Sequence, residues 1–351
     1  MKKKKRIKNI NIHNKRYKVK IYTRKKHINK KNKKRFWSPF TKGLFKSLVI
    51  IFLIICILLL NDKEGKYNIL KNTINNKNNS NSYFSCVITM AKLENKYVRE
   101  FVEHYKKIGL DKIYLADDNS LNSEKLSDVL QDYIDEGFVE IMDVRGKGYT
   151  QKLFFQNSFK ILRPKCKWML YFDIDELLEF VNKNKTINNY LSEDKFNKCE
   201  VIKINWIMYV NEDLLYYDNR TLQERFTTPT YYEREVRTVK SIVKNDSRRN
   251  PWIKTAPHEP YKGLYSCNSI GDPSPYKGGR IFPPILSYCY IKHYYYKSVE
   301  EFAYKLKKGF DGAPHNVENK LKLYFQFNKY SKEKVELFEK ILNTTLEWIS
   351  K

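Results

Sequence analysis

The chain has no C-x-x-C pair among its six cysteines and no zinc-like spacing, which excludes a zinc ribbon and a dithiol redox motif. It has no G-x-G-x-x-G fingerprint and no P-loop. Arg145-Gly146-Lys147-Gly148 carries two glycines and fits neither pattern, although it can touch a phosphate. No internal repeat divides the chain, so solenoids and propellers are excluded. The longest apolar run, Leu48 to Leu60, has thirteen residues and falls short of the roughly 20 expected of a membrane span. The sharpest absence is of negative charge: residues 1–46 hold 20 Lys or Arg and neither Asp nor Glu.

That absence accounts for most of the formal net charge of +28. The remaining chain carries 47 basic and 39 acidic residues, a mildly basic body. A basic arm with Tyr17, Tyr22, Phe36 and Trp37 suits either a nucleic-acid-binding tail or a cytoplasmic anchor sequence. The apolar run favours the anchor. With Leu44, Phe45 and Ser47 included, and Lys46 snorkelling to the interface, it reaches about seventeen residues, the lower end of a span. A cleaved secretory signal would have a shorter basic leader and a small-residue cleavage site, and the chain has neither. The expected organisation is a basic cytoplasmic tail over 1–43, a single transmembrane signal anchor over 44–60, a flexible stem over 61–82 and one folded domain over 83–351. The excess of Lys and Arg before the anchor orients it as a single-pass type II membrane protein. Its body then faces the lumen of the endoplasmic reticulum or Golgi, and nucleic acid is not a partner. Five cysteines in that body allow one or two disulfides, with no pairing derivable. Sequons at Asn78, Asn184, Asn219, Asn245 and Asn343 are compatible with such a compartment.

From Tyr83 the pattern alternates. Tyr83 to Met90 has strand character, and Tyr97, Val98, Phe101, Val102, Tyr105 and Ile108 recur at helical spacing before Gly109. Strands are expected at Lys112 to Ala116, Phe138 to Val144 and Trp168 to Phe172, with helices ending near Gly137 and over Gln151 to Leu162. Strand, helix, strand, helix, strand, helix, strand predicts an α/β fold: a mostly parallel sheet with helices on both faces. After Glu176 the pattern loosens. Cys199 to Ile207 and Thr238 to Val243 read as strands, and Val299 to Lys308 and Lys332 to Ile349 as helices.

The chemistry gathers at Trp168-Met169-Leu170-Tyr171-Phe172-Asp173-Ile174-Asp175-Glu176-Leu177, an apolar strand that ends in three carboxylates within four positions. Burying that charge without a cation costs several kcal/mol per group, and a divalent metal is the obvious partner. Asp173 and Asp175, two apart, point to one side of extended backbone, at the carboxyl end where α/β sheets bind ligands. A solvated strand terminus is the plainer alternative. Asp117-Asp118-Asn119-Ser120 follows another strand at the same edge, either to contact a ribose or simply as a turn.

These segments together resemble glycosyltransferase family 92, the DUF23 group, which is related to family 2 enzymes of the GT-A fold. The resemblance begins with Glu94-Asn95-Lys96-Tyr97-Val98-Arg99-Glu100-Phe101-Val102-Glu103-His104-Tyr105, Ile108-Gly109-Leu110 and Tyr114-Leu115-Ala116-Asp117-Asp118-Asn119-Ser120. It continues through Gln151 and the aromatic-led D-x-D-E block, then His258, then His293-Tyr294-Tyr295-Tyr296-Lys297-Ser298-Val299-Glu300-Glu301-Phe302, Lys305 and Gly309. It covers Tyr83 to Gly309. Leu177-Leu178 departs from it where an aromatic is more usual, and Tyr209 to Tyr232 matches no part of the pattern.

The resemblance implies a GT-A-like domain over 83–351 and a hexosyltransferase that inverts the anomeric carbon. The donor would be a nucleotide sugar, a UDP-sugar with UDP-galactose among the options, and the acceptor a glycan or glycoconjugate. It implies Mn²⁺, or Mg²⁺, on the donor diphosphate, held by Asp173, Asp175 and His293, with His258 the competing third ligand. Asp117 or Asp118 would contact uridine or its ribose, and Lys297 the diphosphate. Inversion needs a general base. Glu176 and Glu259 rank first because they flank the metal and its alternative ligand, ahead of Glu212 and Asp213. The competing readings are a glycan-binding, lectin-like membrane protein on the same fold, and a metal-dependent nucleotidyltransferase.

Overall fold

The computed structural model describes residues 6–12, 15–21, 39–75, 82–247, 250–252, 258, 260, 263–274, 279–308 and 317–346. The chain divides into two compact units, Met1–Leu60 and Asn61–Lys351. In the first, strands β1 (Arg6–Ile12) and β2 (Lys15–Ile21) pair antiparallel, and helix α1 (Pro39–Asn75) begins. The leucine, isoleucine and valine side chains of Leu48 to Leu60 are exposed along it. Thirteen helical residues rise about 20 Å, against a hydrocarbon core of roughly 30 Å. Among the described residues no helix is long and apolar enough to cross a membrane.

In the second unit α1 continues to Asn75, so the first part of the expected flexible stem is helical. It is tied to the body: Leu70 is fully buried among Tyr149, Phe154, Phe155 and Phe159, and the Tyr149 hydroxyl donates to the Lys66 carbonyl. Residues 76–81 of that stem lie outside the described residues.

The expected alternation follows in order: β3 (Tyr83–Ala91), α2 (Asn95–Lys107), β4 (Lys112–Asp117), α3 (Gln131–Asp135), β5 (Val139–Asp143), α4 (Gln151–Leu162) and β6 (Cys166–Tyr171). Gly109 stops α2 at a φ of +81°, a conformation that glycine adopts without a Cβ penalty. Each strand sends successive side chains to opposite faces. Val87 belongs to the same buried cluster as Phe101 and Tyr105 of α2, whereas Cys86 and Ile88 belong to the cluster of Phe154 and Phe155 of α4. Helices therefore cover both faces of the sheet, as the alternation predicted.

The second half comprises β7 (Glu176–Phe180), α5 (Ile187–Leu191), β8 (Val201–Tyr209), α6 (Leu222–Arg225), β9 (Pro229–Thr230), α7 (Glu233–Val236), β10 (Val239–Lys244), β11 (Ser266–Cys267) and β12 (Cys289–His293), then α8 (Val299–Lys308), α9 (Val317–Phe327) and α10 (Lys332–Leu342). One sheet runs β5-β4-β3-β6-β10-β8-β12-β7, with β9 and β11 beside β8. Its β5-β4-β3-β6 part is wholly parallel. Beyond β6 it is mixed, because β10 runs antiparallel between β6 and β8, and β7 antiparallel to β12. Antiparallel neighbours need no crossover helix between them, which is why the sequence pattern loosens there. Two disulfides staple the unit, Cys86–Cys166 between the neighbouring strands β3 and β6, and Cys199–Cys267 at the start of β8.

Candidate active site

The stretch Trp168 to Leu177 is two strands joined by a turn. β6 ends at Tyr171. The Glu176 N–H then donates to the Asp173 carbonyl, and the Asp173 N–H to Glu176 Oε2, each at 3.0 Å. Glu176 opens β7, whose antiparallel register with β12 sets His293 directly opposite it. The Tyr294 N–H closes that register on the Asp175 carbonyl at 2.9 Å. Sheet pairing thus carries a histidine more than a hundred residues away to the carboxylate turn.

The turn is met by three lysines from the second half of the chain. Lys240, fully buried on β10, sits 2.6 Å from Asp173 Oδ2 and 3.1 Å from Glu176 Oε2. Lys305 of α8 lies 2.8 Å from Asp175 Oδ2, and Lys297 lies 3.6 Å from the same oxygen and 3.4 Å from Glu94 Oε2. Gln151, at the start of α4, donates to Asp173 Oδ1 at 2.6 Å. His293 Nε2 stands 3.5 Å from Asp175 Oδ1 and 3.7 Å from Glu176 Oε1.

The pKa shifts follow from these contacts. Burial opposes ionisation of Asp173, but Lys240 overrides it and holds the group below the usual carboxylate range. Burial likewise opposes ionisation of Asp175, and Lys305, Lys297 and His293 together keep it well below that range. Glu176, with no exposure at all, is pushed up to about 8 by burial and by the two neighbouring aspartates, Lys240 only partly offsetting them. Burial keeps both histidines neutral, with His258 lowered to about 3. Glu94, Asp173 and Asp175 thus face Lys240, Lys297 and Lys305 around Glu176, the carboxyl whose ionisation burial opposes most visibly. His293 Nδ1, His258 Nδ1 and Glu176 Oε1 are buried atoms with no hydrogen-bond partner, the residue of polarity that an apolar core would not keep.

The carboxylates open onto a cleft of about 1020 Å³ at the carboxyl ends of β3, β4 and β6. Met90, Ala91, Lys92 and Asp118 form one part of its lining, Gly148 to Gln151 another, and Trp206, His258, His293, Tyr295, Lys305 and Lys320 a third. The expected site residues divide accordingly. Asp173, Asp175, His293, His258 and Asp118 line the cleft together. Asp117 does not, and its oxygens accept from the Asn119 N–H at 2.9 Å and the Leu126 N–H at 3.0 Å, which fixes the loop after β4. Its neighbour Asp118 presents the carboxylate, 3.9 Å from Lys92 Nζ. Lys297 is 3 % exposed, stacked 3.9 Å over the Tyr97 ring beneath the lining. Glu176 has no exposed surface and is not among the residues that line the cleft. Glu212 accepts from the backbone of Thr227 and Thr228, and Asp213 from Lys334, and neither lines the cleft. Glu259 lies outside the described residues.

Sequence reasoning missed four lining or supporting residues. Lys240 stood in view as a lysine inside the expected apolar strand Thr238 to Val243, and a buried lysine needs a carboxylate. Trp206, 4.4 Å ring to ring from His293, sat unremarked in another expected strand. Glu235, on α7 just after the unmatched stretch Tyr209 to Tyr232, left no signal. Lys305 was visible only as part of the family pattern.

Several solved structures of S. aureus TarS are similar at low identity. The TarS 1–349 structure is 9% identical with a TM-score of 0.36, covering 74% of this chain and 71% of that one. Its complex with UDP gives 10%, 0.35, 74% and 81%, and its complex with UDP-GlcNAc 11%, 0.36, 74% and 79%. No curated protein matches the chain. Residues 81–326, more than two thirds of the chain, match the family model described as Glycosyltransferase family 92, so the chain belongs to that family and is a glycosyltransferase.

Proposed function

We propose that this glycosyltransferase moves a sugar, with inversion and metal assistance, from a UDP-sugar to a glycan or glycoconjugate acceptor. The observation that carries the reading is the pairing of Asp175 Oδ1 with His293 Nε2 at 3.5 Å on the wall of the cleft. A carboxylate oxygen and a neutral imidazole suit Mn²⁺ or Mg²⁺. Among the described residues no three His, Cys, Asp or Glu side chains converge to hold a metal unaided. Ions of this type are ordinarily bound by one or two protein ligands with substrate phosphates completing the shell, so two ligands fit. Asp173, whose oxygens already accept from Gln151 and Lys240, would support the ion through water. Once bound, the metal would neutralise charge developing on the diphosphate leaving group.

The chain's own residues do the rest. Asp118 meets the ribose or the pyrimidine at the end of β4. Trp206 and Tyr295 offer apolar faces to sugar rings, and a volume of about 1020 Å³ admits a nucleotide sugar together with an acceptor residue. Among the described carboxylates that line the cleft, Glu94, Asp118, Asp173 and Asp175 come from the first half of the domain and Glu235 from the second. Glu235 is accordingly our acceptor-side base. Two disulfides support folding in an oxidising compartment, and a type II protein of the endoplasmic reticulum or Golgi completes the reading.

The test is UDP release from a panel of UDP-sugars, UDP-galactose first, by the purified chain with Mn²⁺ and with chelator. Asp175→Ala should lose at least about a hundredfold in rate. Full activity in that variant, or indifference to chelator, would sink the metal-assisted mechanism.

A further inference from the structure

We infer that Lys305 is an exchangeable counter-ion, which holds Asp175 before donor arrives and passes to the donor diphosphate when a divalent cation takes its place. The inference rests on the metal-assisted reading of this site and assigns a diphosphate-binding residue to it.

Two lysines reach Asp175 Oδ2, and their surroundings differ. Lys297, at 3.6 Å, is also 3.4 Å from Glu94 Oε2 and 3.9 Å over Tyr97, beneath the lining of the cleft. Lys305, at 2.8 Å, lines the cleft itself, with its ammonium 4.0 Å over the Tyr295 ring and 3.4 Å from the Tyr295 carbonyl. Its backbone is fixed because Val299, Phe302, Ala303 and Leu306 of α8 are buried at helical spacing. A lysine side chain is a flexible four-carbon stem, so a residue anchored at its backbone can change the partner of its ammonium.

The exchange follows from charge. Lys305 occupies one oxygen of the carboxylate whose other oxygen faces His293. A divalent cation seated between Asp175 and His293 would lie within a few ångströms of that ammonium, where like charges repel strongly. The ammonium therefore leaves Asp175. A nucleoside diphosphate sugar carries two negative charges, which a divalent cation balances, so the pair enters the cluster without adding net charge. The diphosphate is the acceptor that becomes available as Asp175 is lost, and Lys305 meets it as a point charge. No bond is made or broken; one ion pair replaces another.

The experiment is calorimetric titration of the purified full chain with MnCl₂ alone, and then with UDP at saturating Mn²⁺, in wild type, Lys305→Met and Lys305→Arg. Lys305→Met should bind Mn²⁺ alone about tenfold more tightly, because its competitor is gone, and UDP about tenfold more weakly. Lys305→Arg, which can grip a carboxylate in two places, should bind Mn²⁺ alone several-fold more weakly than wild type, and it keeps the test intact if the methionine variant does not fold. Thermal unfolding of each variant reports on folding. Both affinities of Lys305→Met falling together, neither moving, or Lys305→Arg binding Mn²⁺ more tightly would each overturn the exchange. If neither wild type nor variant takes up Mn²⁺ even with UDP present, the metal-assisted reading fails and the exchange with it.

Discussion

The two halves of the second unit contribute opposite charges to one site. The parallel half, β3 to β6 and the turn after it, supplies the carboxylates Glu94, Asp118, Asp173, Asp175 and Glu176. The mixed half supplies both imidazoles and most of the cations, Lys240, His258, His293, Lys297, Lys305 and Lys320, with Lys92 of the parallel half and Glu235 of the mixed half the exceptions to the division. Neither set is tolerable buried by itself, since an unpaired buried charge costs several kcal/mol. The halves therefore hold one another in place through the site, and the site's geometry is inseparable from the fold. The sharpest way to break this complementarity is Lys240→Met, which leaves Asp173 and Glu176 without their shared ammonium. Removing one partner of a buried pair costs about 3–5 kcal/mol, so urea denaturation should show a loss of that order. Adding Glu176→Gln, which removes the group already pushed up to about 8 by burial, should restore part of it. A single variant within about 1 kcal/mol of wild type would show that the acidic turn stands without help from the other half.

A second bond between the halves is measurable by pH. Glu301 on α8 takes a bidentate pair from Arg225, at 2.7 and 3.0 Å, and a 2.7 Å bond from the Tyr97 hydroxyl on α2. Burial works against its ionisation, but Arg225, Ser298 and Tyr97 together lower it to about 2. A carboxylate lowered on folding stabilises the native state above its unfolded pKa, and that contribution is lost as pH falls through the folded value. The window is therefore from about 4.5 down to about 2, and the stake is roughly 3 kcal/mol. Comparing wild type with Glu301→Gln, the stability difference should be constant above pH 5 and close to zero near pH 2. A difference independent of pH would mean that the charge of Glu301 is not what joins α8 to α2.

The same contrast explains what the sequence revealed. The parallel half announces itself because a crossover helix must separate parallel neighbours, so period 2 and period 3.6 alternate along the chain. Gln151 to Leu162 was bounded correctly, and Gly109 marked the end of α2. Asp173 and Asp175 stood out because charge at a strand end demands an explanation, and His293 stood out only through the family resemblance. The mixed half was legible only in part: β8, β10, α8 and α10 lie where strands over Cys199 to Ile207 and Thr238 to Val243 and helices from Val299 and Lys332 were expected. β7 and β12, five residues each, carry too little pattern to be seen, and their register, which brings His293 to Glu176, is a fact of pairing that no local periodicity encodes. Asp117 and Asp118 were a coin toss from sequence, since a one-residue step in the loop decides which carboxylate feeds the backbone and which faces the cleft. The strand over Trp168 to Phe172 was expected but the one that starts at Glu176 was not, because the turn between them is closed by Glu176's own side chain, not by glycine or proline.

The least visible contribution is that of the helical stem, which joins the parallel half at its cleft wall. Tyr149 lines the cleft and donates to the Lys66 carbonyl, and two positions on Gln151 fixes Asp173. Leu70, one turn further along α1, is buried beside Tyr149 and Phe154. The stem therefore steadies a wall of the cleft as well as adding buried apolar area. Tyr149→Phe removes only the hydrogen bond, and its expected cost is about 1 kcal/mol in unfolding experiments. A looser wall should raise KM for the donor a few-fold and leave kcat nearly unchanged, because the groups facing the transferred sugar are not displaced. A fall in kcat with KM constant would place Tyr149 in the chemistry itself and detach the stem from the argument. No change in either constant would confine the stem to stability, and the site would then belong to the two halves of the sheet.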